Sequence, residues 1–561
     1  MIRFVLCVLA SLFLAACPGV AQVTPEDVVK SIEQEQLRRQ QRDWDFNTEP
    51  DKRPDIHLER PGDGPDDREE DPGPCFPVST TRFEGAEDLD LVPPDVDRLN
   101  GTCVRQGDLS RYLDSMNAFY AGRGWITTRV YLPEQDLSGG TLRVLVIPGR
   151  IEDFDYEGGQ AADSRIHSAF PSGQGDIVNL RDIEQALENF NAPPTQSGTF
   201  KLYPGTRHGT SIVRISPQNR FPLGGRLSLD NLGYRNTGRY KTGADVHYDN
   251  LLNRNDTLRL GVSSTTRGLS GGKTYARDVH GRYLIPFGNW GLHIGAGYNT
   301  YRFTLPGINQ RFPLHGYNHR LSADLQRLLW RGQAAKVYAV AGVGLSRSRN
   351  YLGDHEVLVQ RRFATKAKVG LNGRAHFGGG YHSWSVNAIR GLEALGARRP
   401  LNPGLDPEPF LITGTSAVHA RFMDGLLRLD HQIRGQYSRS ALSSSDRFSL
   451  GGGYFGIRGF QENSLSGSKG LSTRNDLAIR LHQDPDTQVA FVLGLDGGSV
   501  TLSADDHRTY GQSVLVGASA GVRLSLFSRL HLDLTVARAL ERPASFTDPG
   551  TVKYVQMALS F

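Results

Sequence analysis

An arginine set among glycines has the most pointed chemistry in this chain. The run from Arg447 to Phe460, Arg-Phe-Ser-Leu-Gly-Gly-Gly-Tyr-Phe-Gly-Ile-Arg-Gly-Phe, permits backbone turns that bulkier residues resist, and amid its glycines one long cation, Arg458, sits between Ile457 and Gly459-Phe460. A guanidinium withdrawn from water needs a carboxylate partner. The stretch Gly494-Leu495-Asp496-Gly497-Gly498 offers one in a comparable setting, so an ion pair between Arg458 and Asp496 is expected. Such a pair fixes a loop; it does not catalyse. Sequences that look more reactive fail on inspection. Residues 268–274 resemble a phosphate-binding loop, but Arg267 stands where its first glycine is required. Two Gly-x-Ser-x-Gly matches, at 268–272 and 517–521, lack the strand-to-helix elbow of a nucleophile. The histidines show no ligand pair in a metal-binding context. The expectation is a protein that is not an enzyme and carries no metal or cofactor.

A pinned loop requires a wall, and from Leu223 onward the sequence has the period of one. Tyr240, Thr242, Ala244, Val246 and Tyr248 alternate with Lys241, Asp245, His247 and Asp249. Leu427 to Tyr437 repeats the pattern, and in Val514 to Leu526 the even positions are apolar while Arg523 falls among the odd ones. About sixteen such strands are expected, with the glycine-arginine loop between the eleventh and twelfth and Asp496 on or just after the thirteenth. A soluble sandwich cannot bury charges on every inner face, so the apolar face must point outward to lipid. The final strand, Tyr554 to Phe561, puts Val555, Met557, Leu559 and Phe561 on one face; Phe561 serves either as an assembly signal or as a lipid contact.

The first half differs in kind. Residues 1–21 carry Arg3, an apolar run and small residues before Gln22, the pattern of an export signal; cleavage after Ala21 and lipidation at Cys17 both fit. Residues 22–43 hold a helix with a thin apolar stripe, suited to a solvated linker or to a polar cavity. Residues 44–73 are rich in proline, glycine and acids and read as a flexible tether; from Asp43 to Asp71 twelve acids face four bases. With a formal charge of +5 overall, the rest of the chain is strongly basic, and the spread of its cations over alternating strands favours a watery lumen or lipid headgroups over nucleic acid. Cys75 and Cys103, in a chain bound for an oxidising compartment, are expected to form a disulfide. Two α/β units follow, at 74–150 and 151–218. In the first, strands are expected at Phe76 to Phe83, Ile126 to Leu132 and Leu142 to Ile147, with Asp108 capping a helix; in the second, Asn179 caps a helix bearing Leu180, Ile183, Leu187 and Phe190. An open sheet edge in either unit invites another strand.

These residues together resemble a known family. Gly124-Trp125-Ile126 through Gln135, Pro148-Gly149-Arg150-Ile151, Pro204-Gly205, Asp230-Asn231-Leu232-Gly233, Ile457-Arg458-Gly459-Phe460 and Arg474-Asn475-Asp476, in that order, are similar to the outer-membrane transporters of two-partner secretion, the TpsB class of haemolysin secretion and activation proteins, more distantly related to BamA and TamA. The resemblance implies two periplasmic POTRA domains, a sixteen-stranded transmembrane β-barrel over 219–561 with an inward loop near 447–472, and helix 22–43 as a plug within it. It implies that Arg458 reaches Asp496 on the barrel wall. Where the family tends to have an aromatic two residues before that aspartate, this chain has Gly494, with Gly498 further along the same wall. The implied function is export, without ATP, of a large secreted β-helical (TpsA-like) protein recognised in the periplasm. The further implied partners are outer-membrane lipids and, during biogenesis, the barrel-assembly machinery. A barrel-assembly insertase and a simple diffusion porin are the alternatives. Two α/β units favour export over assembly, where more are usual, and a porin needs none.

Overall fold

The computed structural model describes residues 74–89, 91–306, 311–502 and 511–561. The export signal, Cys17, the helix near the N-terminus and the acidic tether lie outside the described residues.

In the first α/β unit the strand expected over Phe76 to Phe83 is divided at Ser79. Phe76–Val78 pairs antiparallel with Thr102–Val104, whereas Thr80–Glu84 joins a second sheet beside Thr141–Ile147, with Arg129–Tyr131 on that strand's other side. Cys75 and Cys103 are bonded across the smaller pair. Trp125 to Thr128 forms a turn, the Thr128 N–H donating to the Trp125 carbonyl at 3.2 Å, so the strand begins only at Arg129. Helix α1 (Gln106–Gly122) starts two residues before Asp108. Asp108 therefore does not occupy the cap position; from inside the first turn its carboxylate accepts from the Arg105 N–H at 2.9 Å, satisfying an otherwise orphaned donor. Tyr112, Met116 and Tyr120 turn the helix's apolar face onto Val130, Leu142, Val144 and Val146.

The second unit repeats the plan. Arg150–Tyr156, Thr210–Asn219 and Gln196–Pro204 form a three-stranded sheet in that order. It is covered by α2 (Ser164–Ala169) and α3 (Leu180–Phe190), and Asn179 caps α3 by accepting from the Arg181 N–H at 2.8 Å. This unit is bolted to the barrel. On α3, Glu184 and Glu188 face Arg331 at 3.4 and 2.7 Å, Lys336 also pairs with Glu188, and Asn189 donates to the Gly288 carbonyl at 2.7 Å.

Sixteen antiparallel strands then close on themselves. In chain order they are β1 (Leu223–Asp230), β2 (Lys241–Asp249), β3 (Thr257–Thr265), β4 (Tyr275–Phe287), β5 (Trp290–Pro306), β6 (Arg311–Arg331), β7 (Ala335–Leu352) and β8 (Arg362–Phe377). They continue as β9 (Gly380–Leu392), β10 (Phe410–Phe422), β11 (Leu427–Tyr437), β12 (Gly470–Gln483), β13 (Thr487–Val500), β14 (Val514–Leu526), β15 (Leu530–Glu541) and β16 (Thr551–Ser560). β16 returns to β1, and Phe561 and Gly225 exchange backbone hydrogen bonds of 2.9 Å in both directions. Period-two alternation has its cause here. Leu229, Val262, Val369, Leu471 and Leu559 are exposed on the outer face, where a soluble protein would hide them, while the inner face carries the charges. The lumen is a cavity of about 2970 Å³ in which arginine and lysine outnumber aspartate and glutamate by more than two to one. Residues Gln196 to Phe200 of the second α/β unit also line it.

Candidate functional site

The loop between β11 and β12 folds into this lumen. Gly451, Gly452 and Gly453 all adopt positive φ, at 80°, 74° and 92°, a succession that side chains other than glycine resist. The reversal lets Phe448–Gly451 pair with Ser464–Gly467 as a small hairpin inside the barrel. Its apolar side is sealed to the wall: Leu450, Ile457, Phe460 and Leu465 pack with Val500, Leu515 and Phe546, and Ile457 and Phe460 are buried. Gly459, at φ 97°, lies so close to the backbone of Arg538 and Ala539 that a Cβ would collide with it. Its N–H donates to the Tyr554 hydroxyl at 3.2 Å.

Arg458 occupies the tip. Its Nε and Nη2 donate to the two oxygens of Asp496, each at 2.6 Å, and its own backbone N–H reaches the same carboxylate at 3.1 Å. This bidentate fork is the geometry for which a guanidinium is suited. Both side chains are 1 % exposed. Asp496 lies on β13, and Gly494, two residues before it, points to the same inner face. A Cβ on Gly494 would enter the Arg458 guanidinium, so this glycine is the floor on which the arginine lies. Gly498 plays the equivalent part for Leu450, and Gly517 on β14 for the Arg458 carbonyl.

Four further charges complete the cluster, Arg474, Asp476, Arg523 and Asp533, to none of which the sequence assigned a contact. The Nη1 of Arg458 stands 2.6 Å from Asp476 on β12; Asp476 also receives Arg523 Nη2 at 2.7 Å; and Arg523 Nε donates to Asp533 on β15 at 3.0 Å. Arg474 sits 4.0 Å from Asp476 and donates to the Tyr454 carbonyl, while the Tyr454 hydroxyl donates to Asp533 at 2.9 Å. Three guanidiniums thus alternate with three carboxylates across four strands. The signal for Asp476 was its place in register: Arg474 lies opposite Asp496, and Asp476 opposite Gly494. For Arg523 it was a lone cation on an otherwise small-residue inner face.

A second cluster holds the root of the same loop. Asp446 is clasped by Arg362 and Lys366 of β8 and receives the Ser443 hydroxyl at 3.3 Å. Burial alone would raise its carboxyl, but the two cations outweigh that and hold it well below the usual range. Sequence distance hid this contact, since 84 residues separate Arg362 from Asp446. Elsewhere, Phe561 is 63 % exposed, its ring lying over Gly225 on the lipid side.

Residues 209–524 match the family model described as haemolysin secretion/activation protein ShlB/FhaC/HecB. Residues 76–149 match the ShlB-type POTRA domain and 150–204 a POTRA domain. Among relatives, the outer membrane transporter CdiB of Dickeya dadantii (strain 3937) is 30 % identical over 502 residues, covering 87 % of each chain. The hemolysin transporter protein ShlB of Serratia marcescens is 25 % identical over 488 residues, covering 85 % of each. Among solved structures, CdiB from Escherichia coli superposes with a TM-score of 0.82 at 26 % identity, covering 97 % of this chain and 100 % of that one.

Proposed function

Because this chain belongs to the haemolysin secretion/activation family, outer-membrane transporters of two-partner secretion with periplasmic POTRA domains, we propose that it exports one secreted partner protein through its own barrel and does so without nucleoside triphosphate. The observation that carries this reading is the position of the second POTRA sheet. Among the described residues its strand Gln196–Pro204 has a neighbouring strand on one side only, and its first residues line the lumen, so an incoming chain that added itself to this edge would already lie at the barrel's mouth. The basic, water-accessible lumen supports passage of an extended polypeptide better than storage of a folded ligand. Within it, Arg458 and Asp496 fix the loop that shapes the conduit. Folding of the exported protein on the far side supplies direction without an energy source in the transporter. Phe561 is proposed as the end read by the barrel-assembly machinery.

The test is transfer in a defined system. The purified chain is placed in proteoliposomes with its POTRA domains outward, the unfolded product of an adjacent reading frame is added without nucleotide, and protease-protected product is measured. Accumulation of that one protein supports export. Assembly of unrelated barrels in place of transfer would point to an insertase, and ion conductance alone to a porin.

A further inference from the structure

The lipid-facing surface at the extracellular ends of β9 to β12 holds a group of residues, two of them at the ends of the β11–β12 loop, that take no part in the ion clusters at Asp446 and Arg458. Tyr437 closes β11 and is 42 % exposed. Arg439 Nε donates to its phenol oxygen at 2.8 Å, and Lys469 Nζ stands 5.0 Å from its ring centroid. A phenol oxygen already accepting from Arg439 keeps its own hydrogen available for another acceptor. Hydroxyl, guanidinium and ammonium therefore surround one ring as three kinds of donor carrying two positive charges. Their height is set by the strands. Tyr437 and Phe410 form part of the aromatic border at which a barrel meets the headgroup layer, and Arg439 and Lys469 lie just beyond it.

Directly below, the outer face is hollowed. Val386 of β9, Gly414 of β10, Gly435 of β11 and Leu471 of β12 follow one another in register. Val386 and Leu471 project into the lipid, 51 % and 58 % exposed, while the two glycines between them leave a furrow roughly 14 Å across, three strand spacings. Cations on a barrel rim alone are ordinary; a cation pair directly above a glycine-floored furrow has the outline of a headgroup with a chain beneath it.

We propose that this is a binding site for a phosphorylated lipid of the outer leaflet. Its phosphate is held by Arg439, Lys469 and the Tyr437 hydroxyl, and an acyl chain lies over Gly414 and Gly435. The proposal rests on the barrel's place in the outer membrane and is independent of what the protein exports. The experiment uses the folded full chain in phosphatidylcholine nanodiscs doped with diphosphoryl lipid A, with retained lipid A per barrel counted by native mass spectrometry. Each charge removed in Arg439→Gln and Lys469→Gln is expected to lower retention about fivefold, and the double variant by the product of the two. Lys469→Arg retains the lipid. Gly435→Leu, whose added Cβ meets nothing nearer than Leu471 Cδ1 at 3.4 Å, weakens retention with both charges intact. Heat-modifiable mobility reports barrel folding for every variant. Unchanged retention in the double variant overturns the proposal. So does displacement of lipid A by inorganic phosphate, or unchanged retention in Gly435→Leu, either of which leaves an anion patch and no lipid site.

Discussion

The inward loop is tied down twice, at its root by Asp446 and at its tip by Arg458, with the same charges in different surroundings. At the tip, Arg458 and Asp496 are each 1 % exposed; at the root the Asp446 carboxylate is 6 % exposed, but its partners Arg362 and Lys366 are 18 % and 28 % exposed. A cation that retains some water can tolerate the loss of its partner. One that has none must carry an uncompensated charge in a dry site, so the two ties differ more in what their loss costs than in what their presence contributes.

The largest effect should come from Arg458→Ala, which leaves Asp496 buried without its bidentate partner. We expect a loss of about 3 to 5 kcal/mol in the urea unfolding of the barrel in vesicles, and lost secretion of the partner at normal barrel abundance. Normal secretion at that abundance would remove Arg458 from the transport mechanism. Exchanging the charges in Arg458→Asp/Asp496→Arg should not rescue, because the new carboxylate would face Asp476 and the new guanidinium would lose its floor on Gly494. Recovery in the double variant would show that the pair acts in isolation from its network.

Asp446→Ala should cost less, about 1 to 3 kcal/mol by the same unfolding assay, since Arg362 and Lys366 can turn to lumen water. An equal loss at root and tip would erase the distinction drawn between them. Smaller again is Tyr454→Phe, which removes one hydrogen bond to Asp533 and should cost about 1 kcal/mol.

The smallest effect belongs to a cluster held without a buried counter-charge. Glu152 in the second POTRA domain accepts from the Thr206 hydroxyl at 2.5 Å, from Thr210, and from the Arg207 N–H at 3.1 Å, and these bonds lower its pKa to about 2. With the folded value below the unfolded one, its contribution is complete above the ordinary glutamate range and disappears as the pH falls through about 2. A carboxyl-carbon NMR titration should find that midpoint. A midpoint near the ordinary glutamate value would mean that these hydrogen bonds do not persist in solution.

Much of this was legible in the sequence, because period-two alternation is dictated by the two solvents a barrel wall separates. Val369, Val386 and Leu471 are apolar since lipid touches them, and that signal is local. The loop was legible too, since three consecutive glycines and an isolated arginine are local features. What could not be read were contacts set by strand register and by the inward fold of the loop. Asp476 joins Arg458 only through the register of β12 against β13, and Arg362 meets Asp446 across the lumen. Asp108 is a different case: its residue type suited a cap, but the helix begins earlier, and from within the first turn its carboxylate accepts from the N–H of the cap residue Arg105.

The attachment of the second POTRA domain also has a mechanical meaning. Helix α3 is fastened by Glu184 and Glu188 to Arg331 and Lys336, which flank the turn joining β6 to β7, and by Asn189 to the turn between β4 and β5. A third attachment lies at the start of the sheet's edge strand, where Thr195 bonds Asp249 and Gln196 bonds Asn250 and Asn255 at the turn between β2 and β3, so the sheet is a lever arm seated on three hairpins. A pull on strand Gln196–Pro204 should therefore load the wall from β2 to β7, on the other side of the strand order from the β12 to β15 segment that grips the loop.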